Sequence, residues 1–272
     1  MSERDCMGAY RSFQPGEEGF AGGRLMIEEG VLEASGSRPV AAYALHVDCV
    51  TPRGALVTRS GAILASVSAL RATVHGTGGH ASSPHLGVDP VPIAAELVLA
   101  VQSFAARRIA ASEAAVLSVT KIRSDSEAGN VIPASVDLEL NIRTLSRETL
   151  ELVRDELPGL LTGIAAAHGA TLDAEWIPSY PVTYNDPAET EPALAALRAA
   201  GHEITLLPEP AMASEDFAYV LEEVPGTFVF VGATPEGGAG PMHSELAAFD
   251  DSVLGLQAQV LAELAWARLE RG

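Results

Sequence analysis

The chain has 272 residues, 47% of them hydrophobic, and a formal charge of −19 from 36 acidic against 17 basic side chains. That length exceeds a typical single domain and can bury a sizeable core, while the acidity excludes phosphate backbones and anionic membrane surfaces as partners, because both repel a polyanion at long range. Cys6 and Cys49 are too few for a disulfide framework and form no Cys-x-x-Cys pair, residues 1–5 are charged, and no apolar run approaches the roughly 20 residues of a membrane span, so the expected address is the cytoplasm.

Taken in chain order, residues 21–29 read as a short helix closed by Gly30, and residues 40–47 as a buried strand with His46 near its end. From residue 69 the pattern becomes a self-contained series: strand 70–75, helix 90–107, strand 116–122, strand 135–143, helix 147–168 and strand 171–178. This is the βαββαβ, ferredoxin-like order, and the alternation of Val136, Leu138, Leu140 and Ile142 gives one strand a single apolar face. After a turn-rich stretch at 178–187, elements alternate again: helix 189–200, strand 203–207, helix 215–222, strand 227–232 and helix 251–269. The fold class predicted is therefore α/β, with residues 1–68 and 179–272 forming one domain and residues 69–178 inserted into it as a second.

Glu17 and Glu18 lie side by side in a loop at 14–19, with His46 a strand later and His243 near the far end. Adjacent carboxylates can divide their work, one binding a metal ion while its neighbour takes a proton from metal-bound water. Each residue alone also fits a structural role: acids ahead of a helix are favoured by its dipole, and single histidines often sit in cores or on surfaces. The glycines of residues 76–79 allow backbone to approach a ligand beside His80, which is placed to donate to a developing oxyanion; the same glycines also suit a plain turn before a helix capped by Asp89. Asn130 and Arg143 can together hold a substrate carboxylate, since guanidinium pairs with that group in bidentate fashion, although an arginine at a strand end is often only solvated. His75, His85, His168 and His202 read as structural or surface residues.

The segments FQPGEEG (13–19), ALHV (44–47), GTGGHASSPHLGVDP (76–90), GNVIP (129–133), NIRT (141–144), SEDF (214–217) and MHSELAAFDD (242–251) span nearly the whole chain. In this order they resemble the zinc-type metallopeptidase family of aminoacylases and carboxypeptidases, in its amidohydrolase branch of hippurate and auxin-conjugate hydrolases. The resemblance implies a catalytic α/β domain interrupted by a lid that also makes the contact of a homodimer. It implies hydrolysis of the amide of an N-acyl amino acid by metal-activated water. Carried over by position, Glu17 matches the general base, Glu18, His46 and His243 match metal ligands, and His80 matches a lid residue that steadies the oxyanion in a neighbouring subunit's site. Asn130 and Arg143 match lid contacts to substrate, and the SEDF segment lies beneath the site with no direct role. Zinc is the metal implied, with manganese, cobalt and nickel also suited to carboxylate and imidazole donors.

The sequence departs from this pattern in two places. Relatives carry a Cys-x-His-Asp motif well ahead of the Glu-Glu loop, and Cys6 lacks the companion histidine to replace it. The expectation is a truncated catalytic domain whose two-metal site is short of ligands, with His46 alone on one metal, Glu18 and His243 on the other, and weak metal binding; the alternative is a non-catalytic, dimer-forming remnant. The second departure is Asp48, where relatives often place an aromatic residue, with a changed pocket rim as the expected result.

Overall fold

Side-chain caps set where the helices begin. Asp89 accepts from the Val91 amide at 2.9 Å, Ser146 from the Thr149 amide at 3.2 Å, and Asp186 from the Ala188 and Glu189 amides at 2.8 and 3.1 Å. Each cap satisfies an amide without a partner inside the helix, and Pro90 and Pro187 follow where a missing N–H costs nothing.

In the computed structural model, which describes residues 8–271 apart from the Ser179 side chain, the chain folds as mixed α/β. Its elements are α1 (Gly22–Glu28), β1 (Ala42–Asp48), β2 (Leu56–Thr58), β3 (Gly61–Leu64), β4 (Val67–His75), β5 (Gly79–His80) and α2 (Pro90–Arg108). There follow β6 (Ala115–Ser124), β7 (Val131–Ile132), β8 (Ser135–Thr144), α3 (Arg147–Ala167), β9 (Thr171–Tyr180) and β10 (Thr183–Asn185). The last are α4 (Pro187–Ala199), β11 (Ile204–Leu206), α5 (Ala218–Glu223), β12 (Gly226–Gly232) and α6 (Leu254–Arg271). Two compact units result, one of residues 65–182 with 212–214, the other of the remaining segments up to 64, 183–211 and from 215.

In the 65–182 unit, β6, β8, β4 and β9 form an antiparallel sheet in that spatial order. Leu70, Val74, Val136, Leu138, Leu140 and Ile142 supply its buried face. Helix α2 covers that face with Ile93, Leu97, Val101 and Phe104, and α3 with Val153, Leu157, Leu161 and Ala165, the spacing of one helical stripe. A small ribbon of β5 and β7 pairs His80 with Val131.

In the other unit, β1, β12, β2 and β11 form a mixed sheet in which β1 runs parallel to β12, β12 antiparallel to β2, and β2 parallel to β11. Val229 and Val231 of β12 pack with Leu197 of α4 and Val260 and Leu264 of α6, while Phe228 turns to Ile63 and Leu64. A separate pair, β3 with β10, runs antiparallel.

Two elements differ from expectation for physical reasons. Strand β1 is half-buried along its length, not buried, because among the described residues it stands at a sheet edge with one neighbour. The helix expected over 215–222 is confined to Ala218–Glu223, since Glu215 Oε1 takes the Phe217 amide at 2.9 Å and Asp216 Oδ2 takes the Gly23 amide at 2.8 Å, holding both acids in the loop before it. Cys6 lies outside the described residues.

Candidate metal centre

Glycines shape the acidic loop. Gly16 and Gly19 flank Glu17 and Glu18 with φ of 67° and 86°, a left-handed backbone that glycine adopts without strain. At the start of α1, a Cβ on Gly22 would lie 1.6 Å from the Pro15 carbonyl oxygen, and one on Gly23 2.7 Å from that of Asp216. Bare backbone is therefore required at both positions. Gln14 Nε2 donates to Glu215 Oε1 at 3.4 Å and also to Asp216 Oδ1, so the Glu-Glu loop is fastened to the Ser-Glu-Asp-Phe segment from the far end of the chain.

His46 enters from β1. Its Nδ1 lies 2.7 Å from the Val47 carbonyl oxygen, which can only accept, so Nδ1 carries the hydrogen and Nε2 keeps its lone pair for a ligand. Phe228 and Phe230 pack around the ring at centroid distances of 6.1 and 5.9 Å. Asp48 accepts from the Val50 amide at 2.9 Å and from the Thr51 hydroxyl, so it closes the turn that follows β1. His243 has φ of 61°, a left-handed conformation that costs a residue with a side chain about 1–3 kcal/mol. Its loop is closed by the Gly240 amide on the Leu246 carbonyl at 2.8 Å, and its Nδ1 lies 3.2 Å from Glu18 Oε1.

Ligand atoms of Glu17, His46 and Glu215 all lie within 4.8 Å of one another, and Glu18 with His243 forms a second pair. Glu17 feels both sets. Burial raises its proton affinity first, His46 and His243 oppose that, and Asp216 and Glu18 add to it. Burial likewise pushes Glu215 up to about 8, with the Phe217 amide opposing and the Glu17 and Asp216 charges reinforcing. Crowded carboxylates held above their usual range, beside imidazole nitrogen, are a donor set that a divalent cation relieves of both burial and repulsion. The residues therefore fit a hard or borderline divalent ion. Counting ligands along the sequence leaves His46 without companions; the fold gives it Glu17 and Glu215. Sequence reading gives the segment that holds Glu215 no direct role, whereas the fold places Glu215 in the cluster with Glu17 and His46.

The other candidate residues lie in the 65–182 unit. His80 is exposed on β5, with Ser82 bonded to its Nδ1. Asn130 is exposed in the turn before β7, its carbonyl accepting from the Ala81 amide at 3.0 Å. Arg143, half-buried on β8, donates from Nε to Asn141 Oδ1 at 3.2 Å and from Nη1 to the Met212 carbonyl at 2.6 Å.

The chain is similar to proteins of known name along most of its length. N-acetylcysteine deacetylase of Bacillus subtilis is 32% identical over 258 residues, covering 95% of this chain and 66% of its own. Thermostable carboxypeptidase 1 of Saccharolobus solfataricus is 32% identical, covering 93% and 64%, and N-acetyldiaminopimelate deacetylase of Shouchella clausii is 38% identical, covering 81% and 58%. The chain thus spans less than two thirds of the length of these relatives. Among solved structures, an aminohydrolase from methicillin-resistant Staphylococcus aureus superposes with a TM-score of 0.83 at 29% identity, covering 94% of this chain and 65% of its own. A Bacillus subtilis M20 peptidase described as dinuclear metal binding superposes at 0.77 and 29%, covering 95% and 64%. The sequence profile that unites such proteins matches residues 10–267, which include the Glu-Glu loop, β1 and the His243 loop alike, and so the chain belongs to peptidase family M20/M25/M40.

Proposed function

We propose that the protein hydrolyses the amide bond of small N-acyl amino acids at this cluster, with a divalent ion held there. The observation that carries the reading is the meeting of Glu17, His46 and Glu215 within 4.8 Å, with Glu18 and His243 paired at 3.2 Å. His46 through Nε2 with Glu215, and Glu18 with His243, are the two donor sets that would hold metal, zinc first and manganese, cobalt or nickel by the same donor chemistry. When bound, such an ion polarises a carbonyl and makes water more acidic. Glu17 is the general base: its raised proton affinity lets it accept a proton from the attacking water and return it to the leaving nitrogen. In this reading His80 reaches a neighbouring subunit's site to donate to the carbonyl oxygen, and Asn130 and Arg143 would be lid contacts to the substrate carboxylate. The substrate class is supported by relatives named as deacetylases of N-acetylcysteine and N-acetyldiaminopimelate.

Release of acetate from N-acetylcysteine and of benzoate from hippurate, measured with zinc, manganese, cobalt or nickel added, tests the reading. Glu17→Gln is expected to lower kcat roughly 10²–10⁴-fold while leaving metal content unchanged. Full activity in that variant, or no turnover by the unaltered chain with any of the four ions, contradicts it.

The same reading includes a homodimer formed through the 65–182 unit as a lid and dimerisation domain. In its support, β6 stands at the sheet edge with Val116 40% and Ile122 56% exposed. Sedimentation is expected to show dimers that Ile122→Asp converts to monomers. Unaltered chain that sediments as a monomer at micromolar concentration contradicts the dimer.

A further inference from the structure

His80 sits on the β5–β7 ribbon opposite Val131, and Ser82 reaches back to it. The Ser82 amide lies 3.2 Å from His80 Nδ1, and the Ser82 hydroxyl oxygen 2.8 Å from the same nitrogen. An amide can only donate, so Nδ1 accepts, and in the neutral ring the hydrogen must sit on Nε2. The Ser83 amide donates to the His80 carbonyl at 2.9 Å and the Ala81 amide to the Asn130 carbonyl at 3.0 Å, which holds this backbone in the geometry that both Ser82 donors need.

We propose that Ser82 is a positioning residue that fixes His80 as an Nε2–H donor, serving the oxygen of an amide carbonyl on which negative charge develops. The purpose of that donor rests on the hydrolase reading; the tautomer does not. In the opposite tautomer Nε2 would turn a lone pair towards the same oxygen, replacing an attraction with a repulsion at the moment charge appears.

The test uses the full chain with ¹⁵N-labelled histidine, read by long-range ¹H–¹⁵N spectra at about pH 8.5, where an ordinary imidazole is neutral. His80 is expected to show Nε2–H in the unaltered protein and in Ser82→Thr, which keeps both donors. Ser82→Ala should raise the Nδ1–H population, and Ser82→Pro, which lacks the amide hydrogen as well, should raise it further. Alongside, Ser82→Ala should lower kcat about tenfold at nearly unchanged KM, with Ser82→Thr restoring it. If His80 keeps the same tautomer in Ser82→Ala and Ser82→Pro, each with intact ribbon resonances, the proposal is wrong. If the tautomer shifts as stated while the unaltered chain cleaves no N-acyl amino acid, the positioning role stands and the hydrolase reading falls.

Discussion

Glu215 is only 4% exposed, yet its nearest charged neighbours include two further carboxylates, and this makes it a sensitive reporter of the metal-free site. Its carboxyl is pushed up to about 8 in the folded chain from an ordinary 4.5. The folded state therefore keeps a proton that the unfolded chain gives up, so the stability this group contributes is full below about pH 4.5 and is lost as pH rises towards 8. Metal-stripped protein should lose melting temperature across that window, and Glu215→Gln should flatten the slope; an equal or steeper slope in the variant contradicts the assignment. Glu17, Glu18, His46 and His243 stand out in the sequence through the order of motifs that resembles the family, since each alone also fits a structural role. The place of Glu215 in the cluster is not legible there, because it depends on contacts with Gln14 and with the Glu17 and Asp216 charges that form only after folding.

At the scale of elements, what could be read depended on length. Helices α2 and α3 announce themselves through caps and a four-residue apolar spacing sustained over many turns. Strands β2, β3 and β10, of three or four residues, and β5 and β7, of two, are too short to show any period, although the last pair carries His80. The join between α1 and the Glu215 loop is likewise silent in the sequence beyond the glycine pair at 22–23. Gly23→Ala would place a methyl group 2.7 Å from the Asp216 carbonyl oxygen, a backbone atom that must move. Overpacking of this kind costs roughly 1–3 kcal/mol, and calorimetry should show a melting temperature lower by about 2–4 °C per kcal/mol. Metal retention should weaken with it, because the Glu215 loop is displaced; a variant that melts and binds metal like the unaltered chain contradicts this role for Gly23.

Across the whole molecule, the α/β class was legible from alternating helices and strands, and the antiparallel sheet from its strands of single apolar face. The mixed direction of the other sheet was not, since pairing partners such as β12 with β1 and β2 are separated by most of the chain. Each unit has its own buried core, one built on Leu70, Leu97, Leu140 and Leu157 and the other on Leu56, Val231 and Leu264, while the candidate metal-binding residues all belong to the latter unit. Leu140→Ala should destabilise the 65–182 unit by about 2–5 kcal/mol and leave metal affinity unchanged; a parallel loss of metal contradicts that separation.

The central claim is that the two donor sets beside Glu17, His46 with Glu215 and Glu18 with His243, bind divalent metal. Titration of metal-stripped protein with cobalt(II), followed by visible absorption, tests this most directly when repeated on His46→Ala and His243→Ala. The predicted result is saturable binding to the unaltered chain, weakened at least about tenfold in each variant; no binding by the unaltered chain, or equal binding by all three, would contradict it.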